Sequence, residues 1–459
     1  MPRSDCARWK RKTPIDMEQR DLIVTPIVIL LVLAAAYAVR PRFTDEVTRK
    51  YFFPALLVKM FGALALGFIY QYYYSGGDTY NFHTHGSRHI WEAFLDSPEK
   101  GVKLLFGSTS SAEGVYEYAS KIVFYRDPSS YAVIRVAAFF DLFTFSAYSA
   151  TAILFAVLGF FGAWLLFLTF YTKYPEMHRG LAVACLFVPS VFFWGSGVLK
   201  DTLVLAALGA GTYLINQIFI ERKPTAWRLL MLAAALYTIF QIKVFVLQAF
   251  VPAVLIWVFA ARIVSISSLI VRWLLVPFMA TIVIGSAFLA VREIGAKDKR
   301  YALENLANTA RVTAYDIRFW TGKDAGSGYT LGELDGSFES MFRLAPAAIN
   351  VTLFRPYFWE VVNPLMFFSA LESLCFLLLT VYVFILFLFR PTWRVVDGNS
   401  LFALVYSLSF AFAVGVSTYN FGTLSRYKIT LMPFYALALV IVFSKLNSAR
   451  KLPVLDSTE

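Results

Sequence analysis

Charge is scarce in this sequence. Only 16% of its 459 residues are Asp, Glu, Lys or Arg, where a soluble globular domain carries about 25%. That excludes an ordinary water-facing fold. Cysteine is scarcer: Cys6, Cys185 and Cys375 lie far apart, which excludes a disulfide framework and offers no metal-type spacing. Cys185 and Cys375 sit inside apolar runs and read as core residues. No internal repeat is evident, and no polar segment is long enough to fold as a separate domain. The chain reads as a single transmembrane domain over 1–459.

What is present is hydrophobic: 58% of the residues are apolar and the mean hydropathy is +0.62. Apolar runs of roughly 18 residues or more recur from end to end, each long enough for a helix to cross a bilayer. The chain is therefore read as an all-α, polytopic membrane protein with about 10–11 transmembrane helices. A β-barrel is excluded, because its strands would alternate apolar and polar over about ten residues. The runs fall at 22–39, 53–73, 147–171, 181–198, 202–220, 229–242, 244–260, 273–291, 366–389, 401–416 and 429–444. The pair 229–242 and 244–260 is short and flanks Lys243, which predicts a helical hairpin meeting near one membrane face.

Two polar loops are long, 74–133 and 292–365. Counting spans puts both on one side, together with the segments around Lys200, Lys243 and 417–428. The opposite side carries short loops rich in cations: Arg40 to Lys50, Lys173 and Arg179, Arg222 to Arg228, Arg262 and Arg272, Arg390 and Arg394, and Lys445 to Lys451. Short cationic loops stay in the cytoplasm, so the long loops face outward across a plasma (inner) membrane. The net charge of +12 belongs to these loops and to anionic lipid headgroups, not to nucleic acid. One conflict arises at the N-terminus, where six cations precede Asp21 on the side counted as outer. Translation from Met17 removes most of them. The alternative, two spans within 131–171, is disfavoured because Asp141, Thr144, Ser146 and Ser149 leave little room for a second apolar run.

The first outer loop opens with YSGGDTYNFHTHGSRHIW at 74–91. Gly76 and Gly77 let the chain leave a helix in a conformation other residues disfavour. Asp78 then stands where a carboxylate caps a following helix, about 79–95. Phe82, Gly86, Ile90 and Phe94 recur every four residues on it with Trp91 alongside, the pattern of an amphipathic interfacial helix. An N-cap aspartate explains Asp78 without any chemistry. His85 and His89 share a face that Asp78 can reach, a low-prior divalent-cation option with no HExxH-type pattern behind it.

Three further segments place charge next to apolar helix on the same side. PSVFFWGSGVLKD at 189–201 joins two spans with almost no loop and brings Lys200 and Asp201 to membrane depth; a snorkelling lysine is the plain reading. TLFRPYFWE at 352–360 surrounds Arg355 with aromatics. A guanidinium there suits a phosphate, and an Arg–Glu pair in an aromatic belt suits it equally. YNFGTLSRYK at 419–428 adds Arg426 and Lys428. One candidate base, Asp78, thus shares a face with Lys200, Lys243, Arg355, Arg426 and Lys428. That suits an anionic lipid headgroup, with cations on its phosphate and rings such as Tyr80 on its sugar.

GGDTY before an amphipathic helix in the first large outer loop resembles the acidic motif of the GT-C glycosyltransferases. These are polytopic enzymes that move sugars from polyprenyl-phosphate carriers. PSVFFWGSGVLKDTLVL is similar to the reversal in such proteins and in bacterial polysaccharide polymerases. The resemblance covers most of the chain through short motifs. It departs in having a span before the motif and a single carboxylate in it. It implies that Asp78 is a general base on the acceptor hydroxyl. Arg355, Arg426 or Lys200 would then stabilise the departing lipid phosphate, and the reaction would invert at the anomeric carbon, with divalent-metal dependence left open. The expected partners are a polyprenyl-phosphate-linked sugar, a glycan or lipid acceptor and membrane lipids. Two alternatives remain: an O-antigen-polymerase or ligase-like enzyme on lipid pyrophosphate-linked glycan, and a transporter or flippase. For the latter, Lys59, Arg272 and Glu372 are the intramembrane charges.

Overall fold

The computed structural model describes residues 18–264, 277–278, 281, 285, 292, 305–317, 327–332, 335–389 and 395–448. The expected span at 273–291, the start at Met17, Cys6, Arg272 and much of the second long loop lie outside the described residues. The rest is helical, and the fold is an all-α, polytopic membrane-spanning one. Seven described helices are long and apolar enough to cross a bilayer: Gln19–Phe43, Arg49–Tyr73, Tyr148–Tyr171, Lys200–Ile220, Ala226–Ile263, Pro364–Phe389 and Gly398–Ser417. The pair Phe421–Thr430 and Met432–Asn447, bent by 60° at its junction, has the geometry of a broken span or a re-entrant loop. The expected span at 181–198 is broken instead into α9 (His178–Leu186) and α10 (Pro189–Trp194). Pro189 has no N–H to continue the ladder of α9, and it takes the first position of the next helix, where none is needed.

The chain packs as two compact units: Met1–Ala163 with Phe192–Ala207, and Trp164–Val191 with Leu208–Glu459. In the first, α1 (Gln19–Phe43) and α2 (Arg49–Phe68, continued as a π-helical turn Ile69–Tyr73) precede the first long loop, and α8 (Tyr148–Tyr171) follows it. α2 and α8 run antiparallel: Phe52 meets Phe160 edge-on at 5.0 Å, and Gly67 lies against Tyr148. Small residues permit the close contacts. Gly62 faces the carbonyl of Phe192, and Gly159 faces the carbonyl of Gly195. Lys59, fully buried in α2, donates to that Gly195 carbonyl at 2.8 Å, an orphan where the chain turns toward α11 (Lys200–Ile215).

The first long loop is built from α3 (Asp78–Phe82), a π turn at His83–Ser87, α4 (Arg88–Asp96), α5 (Pro98–Phe106), α6 (Tyr116–Ala119) and α7 (Pro128–Thr144). The sequence reading did not anticipate α7 as a separate helix. Asp127 caps its start through the Ser129 N–H, and Phe145 and Ser146, both at positive φ, turn the chain into α8. Its two ends lie at the same end of the unit. Thr144 bonds Thr151 near the start of α8, and the residues before Ser130 meet Lys200, three residues beyond Gly197, which packs on Leu66. α7 therefore does not cross the unit, and 131–171 supplies one span, as its polar residues Asp141, Thr144, Ser146 and Ser149 led the sequence to suggest.

In the second unit, α12 (Ala226–Val264) leaves helical geometry at Lys243 (φ −144°, ψ 75°). A straight helix from Arg228 to Arg262 would run about 50 Å. Yet Arg228 donates to the Lys223 carbonyl and Arg262 to that of Phe219, so both ends return to one short segment. The helix is a hairpin with Lys243 at its tip. Its second half packs antiparallel on α17 (Gly398–Ser417), with Phe245 stacked on Phe410 and Trp257 on Phe402. α15 (Ala345–Phe354) closes on the other side of α17, where Ala348 leaves no room for a Cβ on Gly415. α13 (Leu306–Ile317), α14 (Phe338–Arg343), α16 (Pro364–Phe389), α18 (Phe421–Tyr427) and α19 (Met432–Ser448) complete its described helices. Cys185 is buried, whereas Cys375, expected in the core, is exposed on the long apolar helix α16.

Candidate functional site

In the first unit the GGDTY segment is held by contacts the sequence hardly advertises. Ser75, Gly76 and Gly77 have φ of 55°, 124° and 127°, a left-handed exit from the π turn that glycine tolerates best. A Cβ on Gly77 would stand 2.7 Å from the Tyr70 ring. Gly77, not Asp78, is the N-cap; Asp78 is the first residue of α3. Its negative charge still suits the helix N-terminus, and its side chain stays partly exposed. The next two residues are locked. Thr79 shares a 2.7 Å hydrogen bond with the Tyr148 hydroxyl. Tyr80 stacks on the Tyr148 ring at 4.4 Å, and its own hydroxyl donates to the Gly67 carbonyl. Tyr80 is 3% exposed, so its role is to hold the helix, not to stack on a sugar as the sequence suggested.

Beneath α3 lies a carboxylate met in the sequence only as an obstacle to a second span. Asp141, fully buried, accepts from Ser87 at 2.6 Å and from Thr151 at 2.6 Å. His83 Nε2 lies 3.3 Å from the same carboxylate, also fully buried. The stripe Phe82, Gly86, Ile90 does face one way, but it packs on α7, where Ile134 touches Gly86. His85 and His89 diverge from Asp78. His89 pairs with Glu92 at 2.9 Å, and burial with two positive neighbours pushes the His85 imidazole down from its ordinary value. Among the described residues no group of three His, Cys, Asp or Glu is arranged to hold a metal ion.

Lys200 opens α11 and donates to Ser129 at 2.7 Å, with Asp127 at 3.5 Å. Burial pushes the Asp127 carboxyl up, but bonds from Ser130 and Ser129 and the Lys200 charge outweigh it and hold it below its usual range. Asp201 is fully buried. Lys200 thus bolts the 195–199 reversal to the start of α7.

The second unit gathers the other predicted cations at one end. Arg355 is gripped by Glu360 through both carboxylate oxygens and lies over the rings of Tyr329 and Phe421 at 5.4 and 5.3 Å. Glu360 raises the guanidinium further. Burial opposes the charge on Glu360, yet the Arg355 bond and the Tyr357 N–H hold its carboxyl below the usual value. The Arg–Glu anchor is therefore the geometry present. Lys428 is buried and donates to Ser373, which donates in turn to the Arg355 carbonyl. Lys243 at the hairpin tip lies 4.3 Å over the Tyr427 ring. Arg426 is half-buried beside it in sequence. Glu372 on α16 accepts from the Ser190 N–H at 2.7 Å through one oxygen, while the other has no partner among the described residues. The opposite end of this unit carries Lys173 near Glu221 and Lys445 on Asp397, cations counted on the cytoplasmic side. No family model, curated protein or solved structure matches this chain.

Proposed function

We propose that this chain is a membrane glycosyltransferase of GT-C-like type. It would move a sugar from a polyprenyl-phosphate carrier to a glycan or lipid acceptor on the extracytoplasmic face. The observation that carries this reading is the setting of Asp78. It is a partly exposed carboxylate at a helix start, fixed from behind by Thr79, Tyr80 and the buried Asp141 cluster. A general base must be open to its proton donor and held still. In the reaction the acceptor hydroxyl oxygen bonds to the anomeric carbon, its proton passes to Asp78, and the carbon–oxygen bond to the lipid phosphate breaks with inversion. Glu360 already neutralises Arg355, and the cation in the same unit as Asp78 that would stabilise the departing phosphate is Lys200. The test is incorporation of labelled sugar from a polyprenyl-phosphate donor into membrane glycan. Asp78→Asn is expected to lower it by about 10²–10⁴-fold, and an Asp78→Asn protein of wild-type activity sinks the mechanism.

One observation favours a second reading, transport without catalysis. Glu372, with its unpartnered oxygen, and Lys428 are ionisable groups buried in the apolar helices of the second unit. Lipid-linked sugar translocation in proteoliposomes that survives Asp78→Asn and fails in Glu372→Gln would decide for it.

A further inference from the structure

The outer loop of the first unit holds a cavity of about 380 Å³ between the end of α5, α6 and the turns leading to α7. Its size is at the lower end of small-molecule sites, about 300–1,000 Å³. Ala119, Ile122 and Tyr125 are all at least nine-tenths buried and supply an apolar floor. The Tyr125 ring is fixed edge-on against Tyr131 at 5.3 Å and by a hydrogen bond from its hydroxyl to the Ser111 carbonyl. The rim is polar: Thr109, Ser110 and Ser120 bring hydroxyls, and Tyr116, 72% exposed, brings an open ring.

Arg126 completes the lining, and it makes no hydrogen bond or ion pair with any described residue. The nearby carboxylates are already engaged. Glu117 is held by Lys100 at 2.6 Å, and Asp127, next to Arg126, is held by Ser129, Ser130 and Lys200. Glu113 stands exposed outside the lining. The guanidinium charge at the cavity therefore lacks a counter-charge, and a planar five-donor group of this kind matches a carboxylate or phosphate.

An apolar floor, a ring at the edge, several hydroxyls and one open arginine suit one chemistry best: a hydroxyl-rich ring carrying an anionic group. We propose that this cavity binds an acidic sugar unit, a uronate-type pyranose, as a glycan subsite separate from Asp78. The choice of a sugar rests on the glycosyltransferase reading; the anion preference rests on Arg126 alone. The cavity is tied to the GGDTY segment, since the Val123 N–H, on its wall, donates to the His85 carbonyl at 3.0 Å. Such a subsite would hold an acidic glycan on the same loop as the proposed base.

The experiment is ligand-observed NMR on the full chain in nanodiscs, with sodium glucuronate, glucose and inorganic phosphate as probes. Saturable binding of glucuronate is expected, weakened about tenfold or more by Arg126→Gln and likewise reduced by Tyr116→Ala. Both positions are exposed, so unchanged melting curves are expected to accompany these losses. Absence of saturable glucuronate binding overturns the proposal. So does an Arg126→Gln protein that binds as wild type does, or phosphate or glucose binding as tightly as glucuronate. Because binding is read directly, a failed sugar-transfer assay leaves this result standing, and failed binding leaves the role of Asp78 untouched.

Discussion

Asp141→Ala is the sharpest test of how the GGDTY helix is held. The substitution removes the acceptor of two 2.6 Å hydrogen bonds, from Ser87 at the end of the π turn and from Thr151 on α8. All three side chains are buried, so the stranded hydroxyls cannot turn to water. A hydrogen bond to a charged group contributes about 1.5–3 kcal/mol, and stranding a buried partner costs about 1–3 kcal/mol. Thr151 also bonds Thr144 at 2.7 Å and so keeps one partner, which places the total near ~4 kcal/mol, not at the sum of the extremes. For a unit of about 150–250 residues each kcal/mol moves a melting midpoint by ~2–4 °C. A fall of about 10 °C is therefore expected. Asp141→Asn keeps an acceptor, and the serine and threonine hydroxyls can rotate to meet its amide; about 1–2 kcal/mol is expected.

The assay is the fraction of detergent-solubilised protein still monodisperse after heating, read at a fixed heating time because such unfolding is irreversible. A double-mutant cycle with Ser87→Ala isolates the pair. If Ser87 acts through Asp141, the two losses are not additive, and the coupling is about 1.5–3 kcal/mol. An Asp141→Ala protein melting within about 1 °C of wild type, or strictly additive losses in the cycle, would refute the reasoning.

Gly77→Ala places a Cβ 2.7 Å from the Tyr70 ring at a backbone φ of 127°. A cost of about 1–3 kcal/mol is expected from the strain, and sugar transfer is expected to fall further than stability does, since Asp78 is the next residue; activity per folded molecule is the measurement. The Arg355–Glu360 pair predicts a pH dependence. The Glu360 carboxyl is held below its ordinary 4.5 in the folded chain, so its contribution is fully present above that value and is lost as pH falls through the lower folded value. Melting midpoints from about pH 6 to about pH 3 are expected to drop more steeply in wild type than in Glu360→Gln, and parallel curves would count against the pair.

The membrane class was legible in the sequence because length and hydropathy leave little choice: a run such as 366–389 has few folds open to it. The hairpin at Lys243 was legible too, because two runs too short to stand alone flank a charge. Other features were hidden for physical reasons. α7 carries Asp141 and Thr144 among apolar residues, and in a linear reading these polar groups count against a helix at membrane depth. Their partners, Ser87 and Thr151, lie 54 and 10 residues from Asp141, and composition does not reveal such pairings. Tyr80 is easily misread for a similar reason. A tyrosine beside a candidate base looks like a sugar platform until the Tyr148 ring is seen lying on it. The Arg–Glu pairing was one of two readings the sequence offered for Arg355, and only the geometry distinguishes them.

That pairing changes which cations a lipid phosphate would meet. A guanidinium bound through both carboxylate oxygens of Glu360 and covered by the rings of Tyr329 and Phe421 is already satisfied. Drawing it onto a phosphate would leave Glu360, only 18% exposed at its side chain, without its partner, and breaking a half-buried pair costs more than an exposed one. Arg355 is therefore better suited to fixing the segment before α16 than to meeting a phosphate. Lys428 is fully buried and donates to the hydroxyl of Ser373, which donates in turn to the Arg355 carbonyl, so it belongs to the same structural knot. The planar ion and the buried ammonium beside it thus serve the architecture of this segment, each holding a group that would otherwise be stranded.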